Sequence, residues 1–164
     1  MSKRTTYAIL IILALAAIAV VAYLLIAGIP GSSRQLRQLD ANLRTWQAQD
    51  ITHYRMNVTI GCFCPFADRM PLTVEVLDGK AVSVVDAKGQ PVPAHDPIRS
   101  YGNEELMTVD GVFAYAREAI QTADEITLTY DASFGYPDTI HIDRIKLAMD
   151  DEMSVQISEL QVLP

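Results

Sequence analysis

The feature that most constrains this chain is an apolar run near its N-terminus, Tyr7 to Ile29, which contains no charged residue. As a helix, the run is long enough to cross the hydrocarbon core of a bilayer, about 30 Å thick. A cleavable signal peptide usually has a shorter apolar region that ends in small residues, whereas bulky residues fill 24–26 here. Cleavage after Ala27 or Ser33 is the alternative. We expect a transmembrane helix at 7–29.

Charge suggests how the rest of the chain is arranged. Lys3 and Arg4 precede the apolar run, so residues 1–6 are predicted to be cytoplasmic. Residues 30–35 are then a linker, and 36–164 form one extracytoplasmic domain of ordinary size. Beyond the run there are 11 basic against 20 acidic residues, a net charge of about −9. Such a surface repels nucleic acid, and we expect no nucleic-acid partner.

Two segments of the domain have the apolar spacing of a helix with one buried face. Ser32 or Ser33 could cap the first helix, and Thr108 could cap the second, which should end near Thr122. The predicted buried stripes are Leu36, Leu39, Leu43 and Trp46 in the first helix, and Val109, Val112, Phe113, Ala116 and Ile120 in the second.

Six other segments alternate apolar and polar residues, as half-buried strands do. The predicted strands lie at 54–60, 72–76, 82–84, 126–130, 139–143 and 153–162. The last one changes phase after Ile157, which indicates a bulge near Ser158. The proline-rich segment 86–103 is expected to be a long surface loop. The fold class is therefore α+β, an antiparallel sheet of about six strands with two packed helices, preceded by one transmembrane helix.

The turn between the second and third strands can be predicted from which side chains share a face. A two-residue turn at Asp78-Gly79 would mix the two faces of the hairpin. A three-residue loop, Leu77 to Gly79, with Gly79 in a left-handed bulge position would instead pair Val74 with Val82 and Leu72 with Val84. All the valines would then share one face, so the three-residue loop is the prediction.

The only two cysteines, Cys62 and Cys64, are separated by one phenylalanine and followed by Pro65. Residues two apart in an extended chain lie near the upper limit of Cα separation for a disulfide, so the backbone would have to bend. Gly61 and Pro65 permit such a bend. In an oxidising compartment we expect a structural disulfide between them. Packing as buried thiols is the alternative.

The remaining chemistry-bearing residues form no recognisable catalytic or metal-binding pattern. His53, His95 and His141 are far apart, and no motif for phosphate binding or acyl transfer is present. The acidic turn at 150–152 lacks the ligand spacing of a calcium loop. We predict no metal, no cofactor and no enzymatic activity.

The segment "FGYPD" places aromatic residues and a proline in a tight connection between strands. Tyr136 could fill the edge of the core. Alternatively, Phe134, Tyr136 and Pro137 could form a partner-binding patch, because aromatic residues dominate interface hot spots.

Several spaced motifs occur together in this chain: Trp46 before Tyr54, "CFCP" at 62–65, the Asp78-Gly79 turn, Phe113 in the second helix, and "YDASFGYPDTIHID" at 130–143. Together these motifs resemble a family of uncharacterised bacterial envelope proteins, a domain of unknown function. The resemblance covers the chain from about Leu39 to its end. It implies secretion or anchorage to the bacterial cell membrane, and it implies no established activity.

Three functions are consistent with these features. The preferred hypothesis is a single-pass, membrane-anchored extracytoplasmic module that binds or stabilises an unknown envelope protein without catalysis. The alternatives are a thiol-disulfide redox protein that uses Cys62 and Cys64, and a soft-metal protein that binds copper through the same pair. Redox pairs usually have two residues between the cysteines, at the start of a helix, which disfavours the redox alternative.

Overall fold

A computed structural model of the protein describes residues 12–20, 31–101 and 104–164. Residues 12–20 form helix α1. The predicted membrane span at 7–29 falls mostly outside the described residues, as does the predicted cytoplasmic segment 1–6. In the described part of the chain, no helix is both long and apolar enough to cross a membrane. The transmembrane helix therefore stays a prediction.

Helix α2 spans Gly31–Gln47. The predicted linker at 30–35 is therefore helical from Gly31 onward, and Ser32 and Ser33, the predicted caps, lie within the first turn of the helix. Leu39 and Trp46 are buried as predicted. Leu36 and Leu43 are half-buried against the same core, so the predicted apolar stripe is correct.

Helix α4 spans Val109–Thr122, and its start is fixed by two side chains. The Thr108 hydroxyl accepts the Gly111 N–H at 3.1 Å, which confirms the predicted cap. The Tyr54 hydroxyl accepts the Val109 N–H at 2.9 Å, and burial raises the pKa of Tyr54 to about 12. One otherwise unpaired N–H at the helix start is thus satisfied by the sheet itself.

Six strands form one antiparallel sheet in the order β3-β2-β1-β6-β5-β4. The strands are β1 His53–Gly61, β2 Leu72–Leu77, β3 Lys80–Val85, β4 Glu125–Tyr130, β5 Pro137–Asp143 and β6 Glu152–Val162. Each half of the domain is a three-stranded meander, and the pairing of β1 with β6 joins the halves at the centre. The predicted α+β class and six-stranded antiparallel sheet are confirmed.

The core lies on one face of the sheet. Alternate residues of β1 are buried, as the sequence period predicts. They belong to the same buried cluster as Leu39 and Trp46 of α2 and Phe113 of α4, so both helices pack on one face. The opposite face, which we call the open face, carries the polar residues of each strand.

The predicted turn between β2 and β3 is wrong. Leu77 pairs with Lys80, so the turn has two residues, and both have positive φ: 49° at Asp78 and 72° at Gly79. These angles are typical of a type I′ hairpin. A two-residue turn alone would mix the two faces of the hairpin, but a bulge next to Val76 restores the pairing of Val74 with Val84. The bulge leaves Val82 57% exposed.

The bulge predicted near Ser158 is confirmed. Asn57 pairs with Ser158 but Arg55 pairs with Gln161, so β6 carries an extra residue between these pairs. Glu159 takes a φ of 53° there. The bulge produces the phase change that the sequence of β6 shows.

The segment 86–103 is more ordered than a surface loop, as far as the structure describes it. It contains the short helix α3, Pro97–Tyr101, and it buries Val92 and Ile98 in the core. Arg69, in the 3-10 turn Ala67–Arg69, ties the segment down. Its guanidinium donates to Asp86 at 2.9 Å and to Asp96 at 3.1 Å.

Asp86 is the buried acid of this segment. Its carboxylate accepts the N–H groups of Gln90 and Lys88 as well as the Arg69 guanidinium. These contacts, the Gln90 bond above all, hold the pKa of Asp86 below its ordinary value. Composition alone misses such a network, because its partners are polar residues that ordinarily lie in loops.

Candidate functional site

Strand β1 ends at Gly61, and the two cysteines lie just beyond it. The chain bends at once, because the Cys64 N–H donates to the Cys62 carbonyl at 2.8 Å. The two Cα atoms lie 5.2 Å apart, within the range of a disulfide. Both cysteines are half-buried against the core, while Phe63 at the apex is 86% exposed. The expected bend and the close pair are therefore present, and the bend displays an aromatic side chain.

Gly61 matters for a second reason. Its Cα pairs with that of Ser154 on β6, and a Cβ at Gly61 would collide with the Ser154 hydroxyl. The next Ser154 atoms lie at 3.7 Å or more, so glycine leaves room for this hydroxyl beside the end of β1, and a side chain at position 61 would require the hydroxyl to rotate away.

Beside this bend lies a cavity of about 530 Å³ on the open face of the sheet, which we call the open-face cleft. Residues of β1, β4, β5 and β6 form its floor, because Gly61, Ser154, His141 and Thr127 are successive neighbours across these strands. The bend contributes Cys62 and Phe63 to its rim. The residues around the cleft are Gly61, Cys62, Phe63, Glu125, Thr127, His141, Ile142, Asp143, Asp150, Glu152, Met153 and Ser154.

The cleft is acidic. Four carboxylates line it, from Glu125, Asp143, Asp150 and Glu152. Asp143 lies between β4 and β6 and pairs with Glu125 on one side and Glu152 on the other. Desolvation, followed by the negative charges around it, raises the pKa of Asp143. Negative potential is therefore concentrated at this end of the sheet.

Hydrogen bonds compensate the negative charge of Asp143 only in part. Oδ1 of Asp143 is buried without a hydrogen-bond partner among the described residues. The Lys146 ammonium lies 3.4 Å from Glu125 in an exposed ion pair. An exposed ion pair of this kind contributes little to stability, so Glu125 can readily exchange Lys146 for another cation.

The loop that joins β5 to β6 is rich in exposed apolar residues. Leu147 is 96% exposed and Met149 is 89% exposed, and Ile145 is also exposed. The loop is held in shape by the Asp151 carboxylate, which accepts the Ile145 N–H at 2.7 Å. It reaches the cleft through Asp150, and Phe63 lines the same cleft. Apolar side chains held in solvent by ordered backbone are typical of contact surfaces.

The cleft lacks the contacts of an activated nucleophile. His141 and Ser154 are cross-strand neighbours, but in the part of the chain that the structure covers no hydrogen bond joins their side chains. Nucleophilic catalysis needs such a contact between nucleophile and base. The residues described also include no group of three His, Cys, Asp or Glu side chains placed to hold a metal ion.

The three histidines differ in their surroundings. His141 is exposed in the cleft and His95 is exposed elsewhere. His53 is engaged at both ring nitrogens, 2.8 Å from the Pro164 main-chain oxygen and 3.1 Å from a Glu75 carboxylate oxygen. The structure does not bring the three histidines together.

The "FGYPD" corner packs inward. Tyr136 is 5% exposed and meets Trp46 edge to face, with ring centroids 6.3 Å apart. Pro137 is buried, and half-buried Phe134 stacks on Tyr136. Gly135 has a φ of 81° and lies against α2. This placement corresponds to the core-edge alternative, and the proposed partner-binding role of Tyr136 and Pro137 does not fit their burial.

Sequence reasoning did not assign the open-face cleft. Residues 145–151, "IKLAMDD", follow a strand and place apolar residues at alternate positions. This pattern could have indicated the exposed apolar loop, but it is equally typical of a strand that continues. The position of Phe63 beside this loop depends on the pairing of β1 with β6, two strands far apart in sequence.

The chain belongs to DUF6174, a family of unknown function whose model matches residues 38–162. The match covers nearly all of the domain and includes both the cysteine bend and the "FGYPD" corner. Comparisons with curated proteins and with solved structures found no match.

Proposed function

We propose that this chain is a membrane-tethered, non-enzymatic binding module of the bacterial cell envelope, and that it holds its partner in the open-face cleft. The observation that carries the proposal is Phe63, an aromatic side chain 86% exposed at the apex of a tight bend on the rim of the cleft. A large apolar group held out by ordered backbone carries a solvation cost that a partner relieves.

The chemistry of the cleft suggests the class of partner. Its carboxylates favour positive charge, and Phe63 with the exposed residues of the β5–β6 loop favours apolar contact. A cation on an aliphatic stem suits both, because lysine and arginine can place the stem on an aromatic ring and the charge beside a carboxylate. We expect a protein segment that carries both basic and apolar residues.

The bend can act as a rigid support for this contact. A disulfide between Cys62 and Cys64 would fix the direction of Phe63, and preorganisation of a contact residue lowers the entropic cost of binding. An oxidising compartment would maintain this bond, which agrees with the expected extracytoplasmic location. The role of the cysteines in this proposal is structural.

Defined peptides can test the proposal with the full chain in mild detergent. Two labelled peptides of equal length and apolar content, one with lysines and one with glutamates, would be titrated by fluorescence anisotropy. We expect the lysine peptide to bind and to weaken as salt rises, because screening reduces the attraction. Equal affinity for the two peptides would contradict the assigned charge preference.

A pair of variants tests whether the cleft is the binding site. Phe63→Ser should weaken binding of the lysine peptide about tenfold, within the usual range for an aromatic anchor. Val82→Ser is the matched control, because Val82 is also an exposed apolar residue but lies on β3, away from the cleft. If Phe63→Ser bound the peptide as tightly as the control, the cleft would be the wrong site.

The tether needs its own test, because it depends on residues 7–29. We expect the full chain to stay in the membrane fraction after carbonate extraction and its domain to be degraded by protease added outside the cytoplasmic membrane. Release by carbonate, or a mature N-terminus near Ala27 or Arg34, would show that the chain is not anchored by this segment.

A further inference from the structure

Strand β4 is an edge strand of the sheet. Half of its backbone N–H and C=O groups therefore point away from its neighbour β5. The Asp124 N–H donates to the Arg144 carbonyl at 3.3 Å, which places this pair in the hydrogen-bonded position of the β4–β5 ladder. In an antiparallel ladder these positions alternate. Glu125, Thr127 and Thr129 therefore direct their N–H and C=O groups to the free edge.

The apolar side of β4 is also incompletely covered. Ile126, Leu128 and Tyr130 face the core but are only half-buried, whereas Ile140 and Ile142 on the neighbouring strand are buried. The edge thus combines open hydrogen-bonding groups with half-exposed apolar side chains.

The other edge of the sheet is protected. Strand β3 carries Lys80 at its start and a bulge at Val82, and Val85 forms a bridge with Pro91. Lysine, bulges and covering segments are the devices that prevent edge-to-edge pairing. In β4 itself, no proline or lysine interrupts the sequence "EITLTY", and the register shift of the β4–β5 pairing falls at its end, between Thr129 and Tyr130. The stretch from Glu125 to Thr129 is therefore regular and suited to pairing.

We infer that β4 pairs with β4 of a second copy of this chain, antiparallel, about a two-fold axis through Thr127. In this register Thr127 faces Thr127 of the second copy, and Glu125 faces Thr129. These are the outward positions, so each such pair can exchange two hydrogen bonds. On the core face, Ile126 meets Leu128 of the second copy, and half-exposed apolar surface is covered on both sides.

Neighbouring registers are worse for identifiable reasons. A shift of one residue places core-face residues opposite open-face residues. An axis through Leu128 keeps the faces aligned, but it sets Glu125 opposite Asp131 of the second copy, and like charges directly opposite one another destabilise a strand pair. Only the register through Thr127 uses all three outward positions of the strand without opposing two acids.

The overall charge predicts how this pairing responds to salt. Each domain carries about −9, so two copies repel one another at low ionic strength. Added salt should therefore strengthen the dimer, the opposite of the response expected for a lysine peptide in the cleft. The two proposals can fail separately, because one predicts assembly and the other predicts ligand affinity.

The test is the molar mass of the full chain in mild detergent, measured by sedimentation across concentration and salt. We expect a monomer–dimer equilibrium that favours the dimer as salt rises. Thr127→Lys should weaken dimerisation at least tenfold, because it places two ammonium groups opposite each other. Thr129→Lys is the matched control, since it faces Glu125 of the second copy and should maintain or strengthen the dimer.

A mixing experiment adds a check that misfolding cannot imitate. Thr127→Asp should also dissociate, and an equimolar mixture of Thr127→Asp with Thr127→Lys should recover the dimer, because opposite charges then meet at the axis. A wild-type chain that stays monomeric at every concentration and salt, or a dimer that responds equally to lysine at 127 and at 129, would overturn the inference.

Discussion

The two halves of the sheet use the same three-stranded meander in different ways. In the half formed by β1 to β3, the core-facing residues of β1 and β2 are fully buried, and Arg69 binds the following segment through two carboxylates. In the half formed by β4 to β6, the outer strand is half-buried, and the open face ends in an acidic cleft with exposed apolar residues beside it.

The open faces show the same contrast. In the first half, Glu75 bridges His53 and Arg55, and the Thr73 hydroxyl donates to Asn57 at 3.0 Å. In the second half, like charges meet across strands at Asp143. Paired polar groups stabilise a surface, whereas unpaired ones leave interaction capacity for a partner. We therefore attribute stability mainly to the first half, and the proposed recognition falls to the second.

The largest expected effect compares the same substitution in each half. Leu72→Ala removes a side chain that is 0% exposed in β2, and should lower the free energy of unfolding by about 3 kcal/mol. Leu128→Ala removes one that is half-buried in β4, and should cost only about 1 kcal/mol. Urea denaturation of both variants measures the difference. Equal losses would show that the two halves are equally well packed.

The contrast between halves also explains what the sequence could predict. Strand positions and buried faces depend on local alternation, and alternate residues from Tyr54 to Ile60 are buried as their spacing indicates. The predicted β2–β3 turn is wrong because a bulge pairs Val74 with Val84 even after a two-residue turn, and the alternation of residue types does not encode a bulge. The cleft and the ion pairs of Arg69 depend on contacts between separate segments, so no local pattern contains them.

The second prediction concerns the junction between the halves, where the cysteine bend follows β1. Replacing both Cys62 and Cys64 by serine should cost at most about 1.5 kcal/mol, because the loop that a disulfide would close is very short. Binding of the lysine peptide should weaken more clearly, since Phe63 would lose its fixed direction.

Intact mass before and after reduction, with alkylation of free thiols, determines whether the disulfide is present. The control for the binding measurement is the wild-type chain after reduction and alkylation. Two free thiols in unreduced protein from the oxidising compartment would contradict the proposed disulfide. If the variant with serine at both 62 and 64 did not fold, the limited structural role of the disulfide would be contradicted.

The third prediction concerns the hairpin turn of the first half. Gly79 has a φ of 72° and no atom near the position of a Cβ, so a side chain there meets backbone strain without a collision. Gly79→Val should therefore cost about 1 kcal/mol and lower the melting temperature. Gly79→Asn is the control, because asparagine tolerates the left-handed region and should cost less. Equal melting temperatures for both variants and the wild type would contradict the two-residue turn.

The smallest expected effect is a pH dependence at the edge of the first half. Hydrogen bonds to the Pro164 main-chain oxygen and to Glu75 raise the pKa of His53 above its ordinary value of 6.5. Because the folded state binds this proton more tightly than the unfolded state, the stabilisation is complete below 6.5 and is lost as pH rises through the folded pKa. His53→Gln should therefore flatten the fall in melting temperature between about pH 6 and 8, where histidine titrates. His141→Gln is the matched control, since His141 is exposed at the other end of the sheet. An equally steep pH profile for His53→Gln and for the wild type would show that His53 does not stabilise the first half in its protonated form.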